Sequence, residues 1–292
     1  MKVFKTVIEL KNSLEEYRSK KSIIGFVPTM GALHEGHLSL IEESKKHNDI
    51  SIVSIFINPT QFDKKEDLKN YPRTIERDLL LLKEVNCDLV FVPSVKEIYT
   101  NAIEANPFDF DGLENSMEGN QRKGHFDGVG TIVKKLFEIV MPTHAYFGEK
   151  DFQQLQIIRK MAENNHLPVK IIGCATLREK NGLAMSSRNK LLTKEEKKQA
   201  SIIYQVLKDV RKKATHQTVD QIKEWVCDQF KKHTLFDLQY FTIADEDTLK
   251  SASKTSNTKP QRAFIAVSTN KIRLIDNISI NTYVFFFLIF KK

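Results

Sequence analysis

Short apolar runs alternate with segments of helical period along the first 175 or so positions of this chain. Residues 22–27 carry Ile-Ile-Gly-Phe-Val, an unbroken run suited to a strand buried on both faces. A Pro28-Thr29-Met30-Gly31 loop and a helix over 36–46 follow, then a β-branched strand over 50–57. Leu79, Leu82 and Val85 lie on one face of a helix over 74–85, and a strand over 88–92 is closed by Pro93. Residues 96–129 show no strong period and hold several glycines, so they read as a long functional loop region. Beyond it come a helix over 130–140, a strand over 145–147, a helix over 152–164 and a strand over 169–174. Strands and helices in this alternation predict an α/β fold, a Rossmann-like, mostly parallel sheet with helices on both faces. Its ligands would bind beyond the carboxyl ends of the strands.

After about residue 176 the pattern changes. Helices over 194–213 and 219–232 precede strands over 238–243, 263–268 and 272–275, with a polar loop over 251–260. This predicts a smaller α+β domain. The expected organisation is therefore 1–176 as the Rossmann-like domain, 177–280 as a small domain closing over its site, and 281–292 as an apolar extension.

Composition narrows the function classes. The chain has 292 residues, 41% hydrophobic and 28% charged, with a formal net charge of +8. No basic stripe interleaved with aromatics and no zinc-finger or RNP spacing accompanies that charge, so no nucleic-acid partner is expected. Cys87, Cys174 and Cys227 are odd in number and far apart, which fits ordinary thiols in a reducing, cytoplasmic compartment. The start, Met-Lys-Val-Phe-Lys, leads into polar helix-like sequence and lacks the apolar core of a signal peptide. The apolar run 283–290 is too short for a membrane helix, which needs about 20 residues. It reads as a last strand or a loosely packed extension.

Candidate chemistry gathers at the predicted strand ends. After the first strand comes Met30-Gly31-Ala32-Leu33-His34-Glu35-Gly36-His37. Gly31 permits a tight turn, Gly36 permits close approach to the helix start, and free amides there attract phosphate. His34 and His37, three apart, share a helical face. The spacing is neither that of a zinc protease nor that of a P-loop. Local chemistry alone leaves phosphate contact, capping or packing, and metal binding open, in that order.

Asn58-Pro59-Thr60-Gln61 follows the second strand, and alone it reads as readily as a plain turn. Gly148-Glu149-Lys150-Asp151 repeats the glycine-turn-helix design. Asp151 suits a helix cap or a ribose hydroxyl, but Lys150 opposes the helix dipole unless an anion is bound. Ser186-Ser187-Arg188, after Gly182, offers two hydroxyls and a guanidinium, equally a common surface composition. The segment 121–130 is glycine-bracketed and basic.

Together with Tyr71-Pro72-Arg73 and Arg273-Leu274-Ile275-Asp276-Asn277, these stretches resemble the pantothenate synthetase (pantoate–β-alanine ligase) family from about residue 1 to 277. The resemblance implies a cytidylyltransferase-like nucleotidyltransferase fold and an ATP-dependent condensation of pantoate with β-alanine through an acyl-adenylate. It also implies a cytoplasmic homodimer using ATP and Mg²⁺, with no membrane partner. By the same resemblance His34, Gly36, His37, Lys150, Ser186, Ser187 and Arg188 surround the ATP phosphates. Gly148, Asp151 and Met185 lie by the nucleoside, Gln61 and Gln154 hold pantoate under Met30, and Tyr71 and Arg122 lie close by. Catalysis is assigned to His34, His37, Lys150 and Arg188, and no residue is assigned to a metal. The alternatives are another nucleotidyltransferase of that superfamily and a non-catalytic nucleotide- or RNA-binding module.

Overall fold

The computed structural model describes residues 1–281 except Lys64, Asn257, Lys271 and the side chain of Lys65. The apolar run 283–290 lies outside them. The first compact unit ends at Lys190 and the second starts at Leu191, so residues 177–190 belong with the first.

In the first unit the apolar runs become β2 (Ile24–Thr29), β3 (Ile50–Ile55), β4 (Leu89–Phe91), β5 (His144–Gly148) and β6 (Lys170–Cys174), joined by β1 (Lys2–Phe4). At three residues β1 is too short to leave a period in the sequence. The helices between them are α1 (Val7–Ser19), α2 (Glu35–His47), α3 (Lys65–Asn70), α4 (Ile75–Glu84), α5 (Val95–Ile98), α6 (Met117–Gln121), α7 (His125–Val140) and α8 (Phe152–Asn164). Among the described residues the six strands form one parallel sheet in the order β1-β4-β3-β2-β5-β6.

Both faces of this sheet are covered, as expected. Val27, Val53, Val90 and Tyr146 point to one side, into a core with Leu40 and Ile41 of α2 and Leu82 of α4. Phe26, next to Val27 and so facing the other way, meets Phe137 of α7 edge-on at 6.3 Å, and Phe137 also meets Phe147. Burial on both faces is why β3 is apolar along its length without alternating.

The strand order also says where ligands bind. From β2 the chain moves to β3 and β4 on one side, then returns to place β5 on the other. The carboxyl ends of β2 and β5 therefore flank the point where the order reverses, the usual crevice of an open parallel sheet.

One expectation needs correction. The helix expected from residue 130 starts at His125, and Gly128 within it is a packing device rather than a loop signal. A Cβ at Gly128 would lie 2.2 Å from the Thr60 carbonyl oxygen, and one at Gly130 would lie 3.0 Å from the Phe108 ring. These glycines let α7 lie directly against the turn after β3. Residues 106–110 run along the same helix, with the Asn106 amide donating to Thr131 Oγ1 and the Phe108 amide to Asp127.

The second unit contains α9 (Lys194–Gln199), α10 (Ser201–Lys213), α11 (Val219–Lys231) and, among the described residues, an antiparallel sheet of β7 (Asp237–Asp245), β8 (Gln261–Ser268) and β9 (Arg273–Ser279). The single helix expected over 194–213 is thus two, meeting at the buried Ala200. The last strand runs on through Asp276 and Asn277. Asn277 accepts from the buried Arg262 at 2.6 Å, and Arg262 also pairs with Glu246 at 3.0 Å. These polar groups are engaged inside the unit.

Candidate active site

His34 ends the loop after β2 and caps α2. Its Nδ1 accepts the Gly36 amide at 3.2 Å, while its own amide donates to His37 Nδ1 at 3.4 Å. The two rings lie 4.1 Å apart. Because both Nδ1 atoms accept, a neutral ring at either position carries its proton on Nε2, which makes no hydrogen bond among the described residues. Burial, with Lys150 and Lys190 nearby, lowers the His34 pKa to about 4; burial, with His34 beside it, lowers that of His37 to about 3. Near neutral pH the pair is therefore two uncharged Nε2–H donors. Gly36 is required here, since a Cβ would lie 2.9 Å from the His34 ring and 3.5 Å from Met185 Cβ. Met185 is thereby fixed beside the start of α2.

Across the switch point, Lys150 and Asp151 occupy a 3-10 turn between β5 and α8. Asp151 makes no side-chain cap bond to α8; it pairs with Lys150 at 3.1 Å. Desolvation works against ionisation, yet Lys150, Arg188 and His37 hold its carboxyl below the usual range. Gly148 answers to nothing in the protein. Its φ is −75°, within reach of any residue, and a Cβ there would meet no atom within 4 Å.

The Ser187–Leu191 turn brings in the third group. Ser186 Oγ accepts the Arg188 amide at 3.3 Å, and the buried Asn189 secures the loop through bonds to Glu179 and the Ala184 carbonyl. Arg188 and Lys190 are exposed, and neither side chain has a hydrogen bond or ion pair among the described residues. Tyr71 packs edge-on against Phe62 at 5.6 Å, and burial raises its phenol pKa against the opposing influence of Ser187 and Arg188. His34, His37, Met185, Lys150, Asp151, Tyr71, Ser187 and Arg188 are thus gathered by contact or by mutual electrostatic influence.

Gln61 is held in a separate, tightly bonded cluster. Its Nε2 donates to Met30 Sδ at 2.8 Å, and its Oε1 accepts from Asn58 at 3.2 Å. Asn58 is fully buried, donates also to the Gly128 carbonyl at 3.0 Å, and accepts the Tyr99 hydroxyl at 2.6 Å. The Gln61 carbonyl is held by His125 Nδ1 at 2.8 Å and by Arg122 at 3.2 Å. Burial and the adjacent Arg122 lower the His125 pKa to about 4. The Arg122 guanidinium thus braces the turn. Of the two glutamines opening α8, Gln153 is buried and bonded to the Leu113 and Ser116 carbonyls, whereas the side chain of the half-buried Gln154 makes no hydrogen bond among the described residues.

The sequence reading missed Asn58, Asp78, Tyr99, His125, Asn189 and Lys190. Each takes its place through a partner distant in sequence, except Asn189, held by Glu179 and Ala184 close by in the chain, and Lys190, two residues after Arg188 in the same turn.

Comparison with known proteins places the chain in a family. Residues 2–279 match the family model described as pantoate-beta-alanine ligase. The chain is 51% identical to the pantothenate synthetase of Flavobacterium psychrophilum over 281 residues, spanning 96% of this chain and all of that one. It is 50% identical over 282 residues to that of Christiangramia forsetii, with the same coverage. Among solved structures, the pantothenate synthetase of Thermus thermophilus aligns with a TM-score of 0.89 at 38% identity, over 96% of this chain and 100% of that one. The Francisella tularensis pantoate-beta-alanine ligase, complexed with beta-gamma ATP and beta-alanine, aligns with a TM-score of 0.80 at 36% identity, over 96% and 98%.

Proposed function

The chain belongs to the pantoate–β-alanine ligase family, and we infer from that premise and from its site that it joins pantoate to β-alanine at the expense of ATP. A carboxylate oxygen of pantoate attacks the α-phosphorus of ATP, and the bond to the bridging oxygen breaks as diphosphate leaves. The amine of β-alanine then attacks the acyl carbon, AMP departs with the electrons of the acyl–oxygen bond, and the amine loses a proton. Neither half needs a covalent enzyme intermediate.

The observation that carries this reading is the pair of neutral Nε2–H donors at His34 and His37, set among the cations Lys150, Arg188 and Lys190. Negative charge accumulates on the α-phosphate oxygens and on the departing diphosphate, and fixed donors and cations at that spot lower the barrier. Gly148, which no contact or backbone angle explains, suits a nucleoside lying flat on the backbone, with Asp151 toward its ribose. Gln61 still has an Nε2 proton to give, and Gln154 has all its hydrogen-bonding capacity; both would hold the hydroxyl and carboxylate oxygens of pantoate. Met30, already on Gln61, would close over it.

Mg²⁺ fits as a cation carried in on the triphosphate, to which Asp151 offers a carboxylate; when bound it would neutralise phosphate charge. Among the described residues no group of three or more His, Cys, Asp or Glu is gathered around one point. Family likeness supports a cytoplasmic homodimer, which light scattering on the purified chain would test. No described helix is long and apolar enough to cross a membrane.

The decisive assay follows products. AMP and diphosphate should form together in steady state only with pantoate and β-alanine both present. Diphosphate released without any AMP would instead point to transfer of the nucleotide itself.

A further inference from the structure

Asp78, in the first turns of α4, is a carboxylate only 1% exposed. No Lys, Arg or His among the described residues lies within 4 Å of it. A buried anion without a counter-charge persists only if hydrogen bonds replace its water. Here they come from one short turn and one neighbour: the Ala32 amide donates to Oδ2 at 2.9 Å, the Leu33 amide to Oδ1 at 2.9 Å, and the Thr74 hydroxyl to Oδ1 at 3.1 Å.

That turn needs holding. Gly31 has φ +81° and Ala32 φ +52°, two successive left-handed residues, and for alanine the conformation is strained. Gly31 also fits Asp78 directly, since a Cβ there would lie 3.1 Å from Oδ2. His34 comes two residues after Ala32, so the position of its ring, and through its amide that of His37, follows from the path of this turn. At the other end Thr74 closes the segment that begins at Tyr71, whose phenol Ser187 and Arg188 influence electrostatically.

We propose that Asp78 is a positioning residue for adenylate formation: its carboxylate fixes the strained Gly31–Leu33 turn, and with it the two Nε2–H donors. The proposal rests on the role given above to His34 and His37. It requires both carboxylate oxygens, because each accepts a different amide.

Asp78→Asn keeps the shape but turns one acceptor into a donor facing an amide N–H. In the full-length variant, single-turnover formation of pantoyl-adenylate should slow at least about tenfold. KM for pantoate should change less than about twofold, because Gln61 is held by other groups. In ¹⁵N-histidine-labelled protein the His34 and His37 ring resonances should leave the Nε2–H pattern. A wild-type rate with unshifted resonances would overturn the proposal, and so would a slowed reaction with unshifted resonances. If Asp78→Asn does not fold, Thr74→Val removes only the hydroxyl donor. It should shift the same resonances less and slow the reaction about threefold; unchanged resonances and rate would count against Asp78. His37→Ala is the control for the underlying reading. If it forms adenylate at the wild-type rate, the histidine role fails, while the ring resonances of Asp78→Asn still report whether Asp78 holds the turn.

Discussion

Two walls of the proposed site are built on opposite principles. On the β2–β3 side, Asp78, His34, His37, Asn58, Gln61 and His125 have most of their polar atoms engaged by other protein groups. On the β5–β6 side, Arg188 and Lys190 reach out with no described partner, and Gly148 leaves open space. The first wall is preorganised: most of its polar atoms are held by protein partners, so little reorganisation is needed at the moment of reaction. The second holds positive charge that an anionic ligand would satisfy. A site that must bind a polyanion and also stabilise a brief rearrangement of its charge needs both kinds of wall.

The largest expected effects separate the two. His37→Ala and Lys150→Ala should each slow adenylate formation by about 10²-fold or more. The walls differ in their response to salt. Rate against ATP in the wild type should fall as ionic strength rises to about 1 M, where the screening length is about 3 Å. That dependence should survive in His37→Ala and flatten in Lys150→Ala. Identical salt profiles for the two variants would erase the distinction.

Next in size is Gln61→Ala, which removes an amide from the bonded wall. A hydrogen bond to a charged group contributes about 1.5–3 kcal/mol, so kcat/KM for pantoate should drop roughly tenfold to a hundredfold, with KM for ATP nearly unchanged. A loss seen mainly in ATP affinity would move Gln61 to the other wall.

Glycines give a smaller and cleaner contrast. Gly148→Ala meets no protein atom, so its Tm should match the wild type while KM for ATP rises severalfold. Gly128→Ala drives a Cβ to 2.2 Å from the Thr60 carbonyl and should destabilise the protein by about 1–3 kcal/mol. Thermal melts beside ATP titrations decide it; an ATP affinity for Gly148→Ala equal to wild type would remove the nucleoside from that spot.

These pairs also show what the sequence could reveal. The strand-end motifs were legible because turn, glycine and helix start are contiguous: His34, Gly148, Lys150 and Ser186 announce themselves within a few residues. The groups that hold them were not. Asp78 finds its amides 46 positions away, Tyr99 finds Asn58 at 41, and His125 finds Gln61 at 64. No local pattern encodes such pairings, since they exist only once the sheet order is set. Gly128 was misread for the same reason: a glycine kept for close approach looks, in sequence, like one kept for a loop. The adjacent Gln153 and Gln154 could be told apart only by their partners.

The smallest prediction concerns pH and belongs to the bonded wall alone. His34, His37 and His125 have folded pKa values of about 4, 3 and 4, all below the ordinary 6.5 of an unfolded chain. Between about pH 4 and 6.5 the unfolded state therefore binds more protons than the folded state at each of these sites. Stability that is complete above 6.5 is lost as pH falls through that window. Each such histidine adds a slope of about 1.4 kcal/mol per pH unit. Among the described residues His125 hydrogen-bonds Arg122 and Gln61 and neither His34 nor His37, so its own share can be removed separately. Denaturant melts of His125→Asn between pH 4 and 6.5 should show a stability slope shallower by about one proton than the wild type, whatever the cost in absolute stability. An unchanged slope would mean that His125 is protonated in the folded state, and that Arg122 and His125 do not brace the Gln61 turn as a neutral ring on a guanidinium.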